Sequence, residues 1–495
     1  MIAYEIEKRG KMPIYEYLSH CIREDILTGE LRAGEKLPSK RQLASRLGIS
    51  VVTVENAYAQ LVLEGYIYSV ECSGYYVSRL KAIGKQKADV PVSLYREETE
   101  SSYYADLRCN RIGMQHFPFS IWAKLMREVI TARDEKLLKA VPCRGVLELR
   151  QAIAENLRRF RGMHVSPSQI VIGAGTEFLY RQLFQILGEG RCYGLEEIGY
   201  SYTYELFERN KVTWKQIGMD EKGISVESLY ESGCDVLHAT PEHHFPTGII
   251  TPAGRRQEVL DWAEKTGGYI IEDNFDSEFR YVSKQSPALF AMDKSGHVIY
   301  LNTFSKSIVA SIRISYMVLP EELMKKYVEK MCYSSCTVSC FEQHTLARFI
   351  SEEYFGRHLN RMRSFYRKLK ARLIQEIENS PLHEISEIRE AEAGTYFLLI
   401  LKTSLTDEEL TARARQQGID LACFSDYCRN PQKNREHILI INYSGIRLEG
   451  IGETVRRLER AVYNPKDPEA GQADTLYVRR VPGSAFLPAG VHPEP

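Results

Sequence analysis

Lys306 lies between two serines in the stretch NTFSKSIVASIR, directly after the apolar run VIYL, and Arg313 follows seven residues later. A lone lysine is usually a solvated cation, whereas a desolvated lysine amine at a strand end is a nucleophile toward carbonyls. Three other stretches favour the second reading. Asp273 closes the apolar run GYIIED, 33 residues before the lysine. The stretch QIVIGAGTE is a strand, a Gly-Ala-Gly turn and a helix start, where free backbone N–H groups can face an anion. Tyr200 in GYSYTY and the turn PEHHFPTG add an aromatic ring and a further strand-end loop. One cofactor needs all of these, pyridoxal phosphate. Its aldehyde forms a Schiff base with Lys306, Asp273 keeps its pyridine nitrogen protonated, and Tyr200 stacks on its ring. Its phosphate calls for N–H donors at Gly175 and Thr176, the hydroxyl of Ser305 and the two-pronged guanidinium of Arg313.

Those residues need strand ends to hold them. Helical and strand-like segments alternate from about residue 106 to 463, which predicts an α/β domain with a mostly parallel sheet and a ligand crevice at its carboxyl edge. From about residue 357 the helix RHLNRMRSFYRKLKARLIQEIE leads into GTYFLLILK and HILIINYS, a smaller α+β portion. Residues 79–105 are charged and aperiodic, a linker. Residues 464–495, rich in Pro and Gly, read as a disordered tail.

The first 78 residues form a different unit. Ile14, Leu18, Ile22 and Ile26 recur at helical spacing, and two more short helices open at Ser39 and Ser50 with Gly48 between them. That is helix-turn-helix geometry, and IYSVECSGYYVS adds a two-stranded wing turning at Ser73-Gly74. The unit is not basic, with nine Lys/Arg against ten Asp/Glu. Arrangement carries the case for double-stranded DNA. Lys36, Ser39, Lys40 and Arg41 stand at one helix start, suited to phosphates, Ser50 and Thr53 stand at the front of the next, suited to base edges, and Gly74 marks the wing tip.

Bulk properties set the frame. The 495 residues carry 65 Lys/Arg and 65 Asp/Glu, so overall charge favours no polyanionic partner. No run approaches the roughly 18 apolar residues of a membrane span, and the start has no signal-peptide core, which points to the cytoplasm and no membrane partner. Eleven cysteines without a paired framework read as reduced thiols. Cys332, Cys336 and Cys340, spaced i, i+4, i+8, read as small buried residues of one helix, since no His or carboxylate completes a metal set.

Two family resemblances follow from these residues. GELRAGEKLPSKRQLASRLGISVVTV resembles a GntR-type winged helix-turn-helix. SKSIVASIR, EDNFD and GAGTE resemble, in order and spacing, the fold-type I aminotransferases over about residues 105–463. The two together are similar to the MocR subfamily of transcriptional regulators. The resemblance implies a homodimer in which each DNA-binding head lies over the partner's body. It also implies a small amine or amino-acid-like effector that perturbs the aldimine at Lys306, or sensing of the cofactor itself.

Departures from the family shape the functional expectation. Phe275 stands where members carry a tyrosine that donates to the cofactor's phenolic oxygen, and Phe245 where the enzymes carry asparagine. His244 is a substitute donor. The arginine that grips a substrate α-carboxylate in the enzymes falls at Leu439 or Ile440, which leaves Arg447 as the candidate for an effector's acid group. Val51 follows the capping Ser50 where many members have arginine. The expectation is a sensor with weak transaminase activity at most; the alternative is an active aminotransferase with an accessory DNA-binding head.

Overall fold

Serines at helix starts organise the N-terminal unit, because a hydroxyl can satisfy the N–H groups a first turn leaves unpaired. In the computed structural model Ser39 and Gln42 form a reciprocal capping box at the head of α2 (Lys40–Leu47), and Ser50 Oγ accepts from the Thr53 amide at the head of α3 (Val51–Leu63). Gly48 takes a left-handed conformation, φ 65°, to turn between them. Leu18, Ile22 and Ile26 of α1 (Ile14–Thr28) pack on Leu43, Val54, Tyr58 and Leu61, and strands β1 (Ile67–Val70) and β2 (Gly74–Val77) close that core with Ile67 and Val77.

Two expectations shift here. Lys36 is not at the helix start. It pairs in an antiparallel bridge with Tyr76, its ammonium 5.8 Å from that ring's centre, because Leu37 beside it is buried in the core. The wing turn is Glu71–Ser73 rather than Ser73-Gly74: Val70 pairs with Gly74, Ser73 N donates to the Val70 carbonyl, and Cys72 takes the left-handed corner at φ 57°.

The structure describes residues 4–79, 103–108, 116–275, 278–279, 287–390, 394–429 and 435–463. It divides into two compact units, residues 1–100 and 101–495. Most of the expected linker and all of the expected tail lie outside the described residues. At the linker's end Ala105 and Asp106 already pair with Ile419 and Asp420, so those residues belong to the larger unit.

The larger unit is built on seven strands: β3 (Ile170–Gly173), β4 (Cys192–Glu196), β5 (Thr213–Ile217), β6 (Val236–Ala239), β7 (Tyr269–Asp273), β8 (Val298–Thr303) and β9 (Ser315–Val318). Their order is β3-β9-β8-β7-β6-β4-β5. Only β9 runs against its neighbours; every other strand ends at the same edge. The central strands are buried on both faces, which accounts for their continuous apolar runs. A second, antiparallel sheet, β10 (Ser386–Glu390), β11 (Tyr396–Leu401), β12 (Ala422–Cys423) and β13 (Ile438–Asn442), ordered β10-β11-β13-β12, packs on the 25-residue helix Tyr354–Glu378.

The cysteine reading is corrected. Cys332 ends the helix Glu321–Met331, Cys336 lies in the connecting segment and Cys340 opens the next helix, so the three do not share a helix face. Cys143 and Cys332 form a disulfide across 189 residues, a pairing that only the fold brings to a Cα separation of 5.1 Å. Among the described residues no cluster of His, Cys, Asp and Glu could hold a metal, and no helix is long and apolar enough to cross a membrane.

A buried arginine fixes the turn that follows β6. Arg256, fully buried, donates to the carbonyls of Thr251, Pro241 and Pro287 and pairs with Glu242 at 3.0 Å. A charge withdrawn from water survives only with such partners. Arg256→Met leaves Glu242 and three carbonyls without this partner and is expected to lower stability by about 3–5 kcal/mol in urea unfolding.

Candidate functional site

Strand direction brings the chemistry together. Asp273 ends β7, Lys306 follows β8 by three residues, Gly175 follows β3 by two, and Tyr200 follows β4 by four. Because β9 is antiparallel, it starts where these strands end, so Arg313, two residues before it, reaches the same edge.

The lysine loop is pinned rather than loose. Phe304 N donates to the Ile314 carbonyl at 2.9 Å, Ser305 N donates to Thr303 Oγ1 at 3.2 Å, and Ser315 Oγ donates to the same oxygen at 2.8 Å. The buried Ser307 carbonyl accepts from His358 Nε2 at 2.9 Å. Burial pushes the His358 imidazole down to about 4. Lys306 Nζ stands 5.1 Å from the centre of the Phe275 ring.

Asp273 is held from below. Tyr180 donates its hydroxyl to Asp273 Oδ2 at 3.0 Å, and His238 Nε2 lies 2.7 Å from the same phenol oxygen. With its proton given to Asp273, the phenol accepts from His238. Burial, with Asp273 beside it, raises the Tyr180 phenol well above its ordinary range, so it stays a neutral donor. Asp273 Oδ1 is buried without a partner, as is Ser305 Oγ. Such orphan acceptors are rare unless a ligand uses them.

The phosphate cradle is equally specific. Gly175, φ 91°, precedes the helix Thr176–Leu187 with no side-chain cap, so that helix's first N–H groups stay open. The Arg313 guanidinium lies so close over Gly175 that a Cβ there would collide with it. Arg313 itself is a non-glycine residue at φ 49°, a backbone state that costs about 1–3 kcal/mol and is found where a site demands it. The chemistry of this donor set fits pyridoxal phosphate: Asp273 would face the pyridine nitrogen, Lys306 the aldehyde, and Thr176, Ser305 and Arg313 the phosphate, while the Gly175 amide already donates to the Gly173 carbonyl at 2.9 Å.

Tyr200 is engaged differently from expectation. Its ring stacks on Phe245, centres 4.3 Å apart and planes 8° apart. The cleft among Tyr200, His238, Phe245, Asp273 and Phe275 encloses about 50 Å³. His244, expected as a substitute donor at the cofactor or effector, instead locks its own turn. It is buried, with Nδ1 2.8 Å from Thr247 Oγ1 and Nε2 3.0 Å from the Ile198 carbonyl, and burial lowers its pKa. Arg447 is exposed on the segment after β13 and is not among the residues lining the cleft. Tyr180, His238, Glu196 and Tyr427 were not foreseen. Tyr180 lies one helical turn after Thr176, a spacing that marks the same end of the helix, but nothing in sequence tells which strand it faces.

On the N-terminal unit, Lys40 pairs with Glu55 at 2.5 Å and leans on the Tyr75 ring, while Arg41 is exposed. Ser50 and Thr53 hydroxyls bond each other at 2.8 Å, and Val51 and Val52 are exposed at the front of α3. Gly74 is where a Cβ would approach Lys36.

Fold and site together define a DNA-binding transcriptional regulator whose larger domain has the aminotransferase fold. Residues 14–77 match the model of bacterial regulatory proteins of the gntR family, and residues 110–431 match aminotransferase class I and II. The chain is 35% identical to the HTH-type transcriptional regulator YdeL of Bacillus subtilis, covering 91% of this chain and 97% of that one. It is 29% identical to the "Probable rhizopine catabolism regulatory protein MocR" of Rhizobium meliloti, with 92% and 95% covered. With the pyridoxine biosynthesis regulator PdxR of Corynebacterium glutamicum it shares 28% over 83% and 88%. A kynurenine aminotransferase from Pyrococcus horikoshii shares the fold of the larger unit, with TM-score 0.63, 22% identity, and 73% and 91% covered. The chain belongs to the MocR-type regulators of the GntR family.

The His358 contact has a pH signature. The fold holds the neutral ring, so its contribution is complete above the unfolded pKa near 6.5 and is lost as pH falls toward 4, where the unfolded chain has already taken up the proton. Stability is expected to drop by about 3 kcal/mol across that window. The drop should shrink in His358→Gln, read by urea unfolding at successive pH values.

Proposed function

We propose that this regulator binds pyridoxal phosphate at Lys306 and senses a small amine there, as a cytoplasmic homodimer on operator DNA. The observation that carries the reading is the pair of orphaned buried acceptors, Asp273 Oδ1 and Ser305 Oγ, at one sheet edge with Lys306 and the Arg313–Gly175 cradle. Bound there, the cofactor supplies an aldehyde carbon that can exchange one amine for another. Lys306 would hold the cofactor beside the Phe275 ring, and a change in the charge of its amine in this half-buried site would be the signal to the DNA-binding unit. Support for a homodimer comes from the helix Phe119–Thr131, which leaves Phe119 and Ile130 exposed beside Trp122 in an apolar groove. Phe275 and Phe245, which cannot donate to the cofactor's phenolic oxygen, favour sensing over turnover.

Lys306→Ala is expected to lose the visible absorbance of the lysine-bound cofactor while still binding operator DNA. Retention of that absorbance in the variant overturns the assignment. Conversion of added amines to aldehydes, or of amino acids to ketoacids, by the wild-type protein with an added ketoacid as amino acceptor would restore the aminotransferase alternative. On the DNA side, Arg41→Ala is expected to weaken operator binding across sequences and reduce the salt slope by about one, measured by fluorescence anisotropy at several salt concentrations.

A further inference from the structure

The outward face of α3 opens on two valines that the fold does not use. Val54, Ala57, Tyr58 and Leu61 turn that helix toward the core. Val52 stands two residues before Val54, more than half a turn at 3.6 residues per turn, so its side chain leaves on the side away from the core. Val52 is 62% exposed and Val51 42% exposed. Branched at Cβ, both are weaker helix formers than alanine, so neither core packing nor helix propensity accounts for them.

The polar side chains around them are already engaged. Ser50 Oγ accepts from the Thr53 amide, and the Ser50 and Thr53 hydroxyls bond each other at 2.8 Å. The Glu55 carboxylate, one turn on from Val51, is held by Lys40 at 2.5 Å, so its charge repels a phosphate less. That pair also sets the start of α2 against the front of α3, where the exposed Arg41 supplies a cation to the duplex backbone. The second helix of a helix-turn-helix enters the major groove with its first residues against base edges. Valine exchanges no hydrogen bond there. What it can read is the C5-methyl group of thymine, by excluding water from between methyl groups.

We infer that Val51 and Val52 read thymine methyl groups, so that each operator half-site carries thymine where the start of α3 enters the groove. The inference rests on the reading of the N-terminal unit as the operator-binding head and names the base feature that reading leaves open. In the test, full-length protein selects duplexes from a randomised library. Fluorescence anisotropy then compares the selected duplex with copies in which single thymines are replaced by uracil, which lacks only the methyl group. At least one replacement in each half-site is expected to weaken binding about fourfold, the worth of one buried methyl group. The double variant Val51→Ala, Val52→Ala, at exposed positions where alanine suits a helix, should bind the thymine and uracil duplexes alike. Wild-type protein that tolerates uracil at every thymine overturns the inference without any variant. A penalty that survives in the double variant overturns it as well, because another side chain then reads the methyl. Selection that enriches no duplex overturns the operator-binding reading itself.

Discussion

The contact between the Arg313 guanidinium and the bare backbone of Gly175 is the constraint on which the site depends. It requires glycine, because a side chain would occupy the guanidinium's place, and it requires β9 to run against its neighbours, because only then does the residue before that strand return to the edge where the others end. Ser315, the first residue of β9, bonds Thr303, the last of β8, and so ties the arginine's strand to the lysine's loop. The cationic cradle and the nucleophile are thereby set by one pair of strands.

Beneath that surface the site is a problem of buried charge. Asp273 keeps one oxygen on Tyr180, itself bonded to His238, and leaves the other free of protein partners. A neutral phenol supports a carboxylate without adding a charge to the interior, and its high pKa keeps it a donor across the physiological range. The turn after β6, which delivers Phe245, is anchored separately by Arg256 and Glu242, so the wall of the cleft and its floor are fixed by different networks.

Much of this was legible in the sequence because it depends on local order. The capping serines, Gly48, the apolar runs of β3, β7 and β8 and the spacing of Asp273, Lys306 and Arg313 each announce an element or its end. What was not legible depends on which elements meet. Tyr180 is one more aromatic in a helix until β7 places Asp273 above it. His244 looked like a donor to the cofactor, yet both its nitrogens close its own turn. Lys36 looked like part of a helix start until the wing strand drew it into a bridge. Cys332 fitted a helical spacing, and its true partner lay 189 residues away.

That last pairing has a topological result. All seven strands of the large sheet fall between Cys143 and Cys332, so the sheet is enclosed in a single covalent ring. A protease that cuts one loop inside this ring opens the backbone but releases no fragment. The two pieces stay covalently joined for as long as the disulfide is intact.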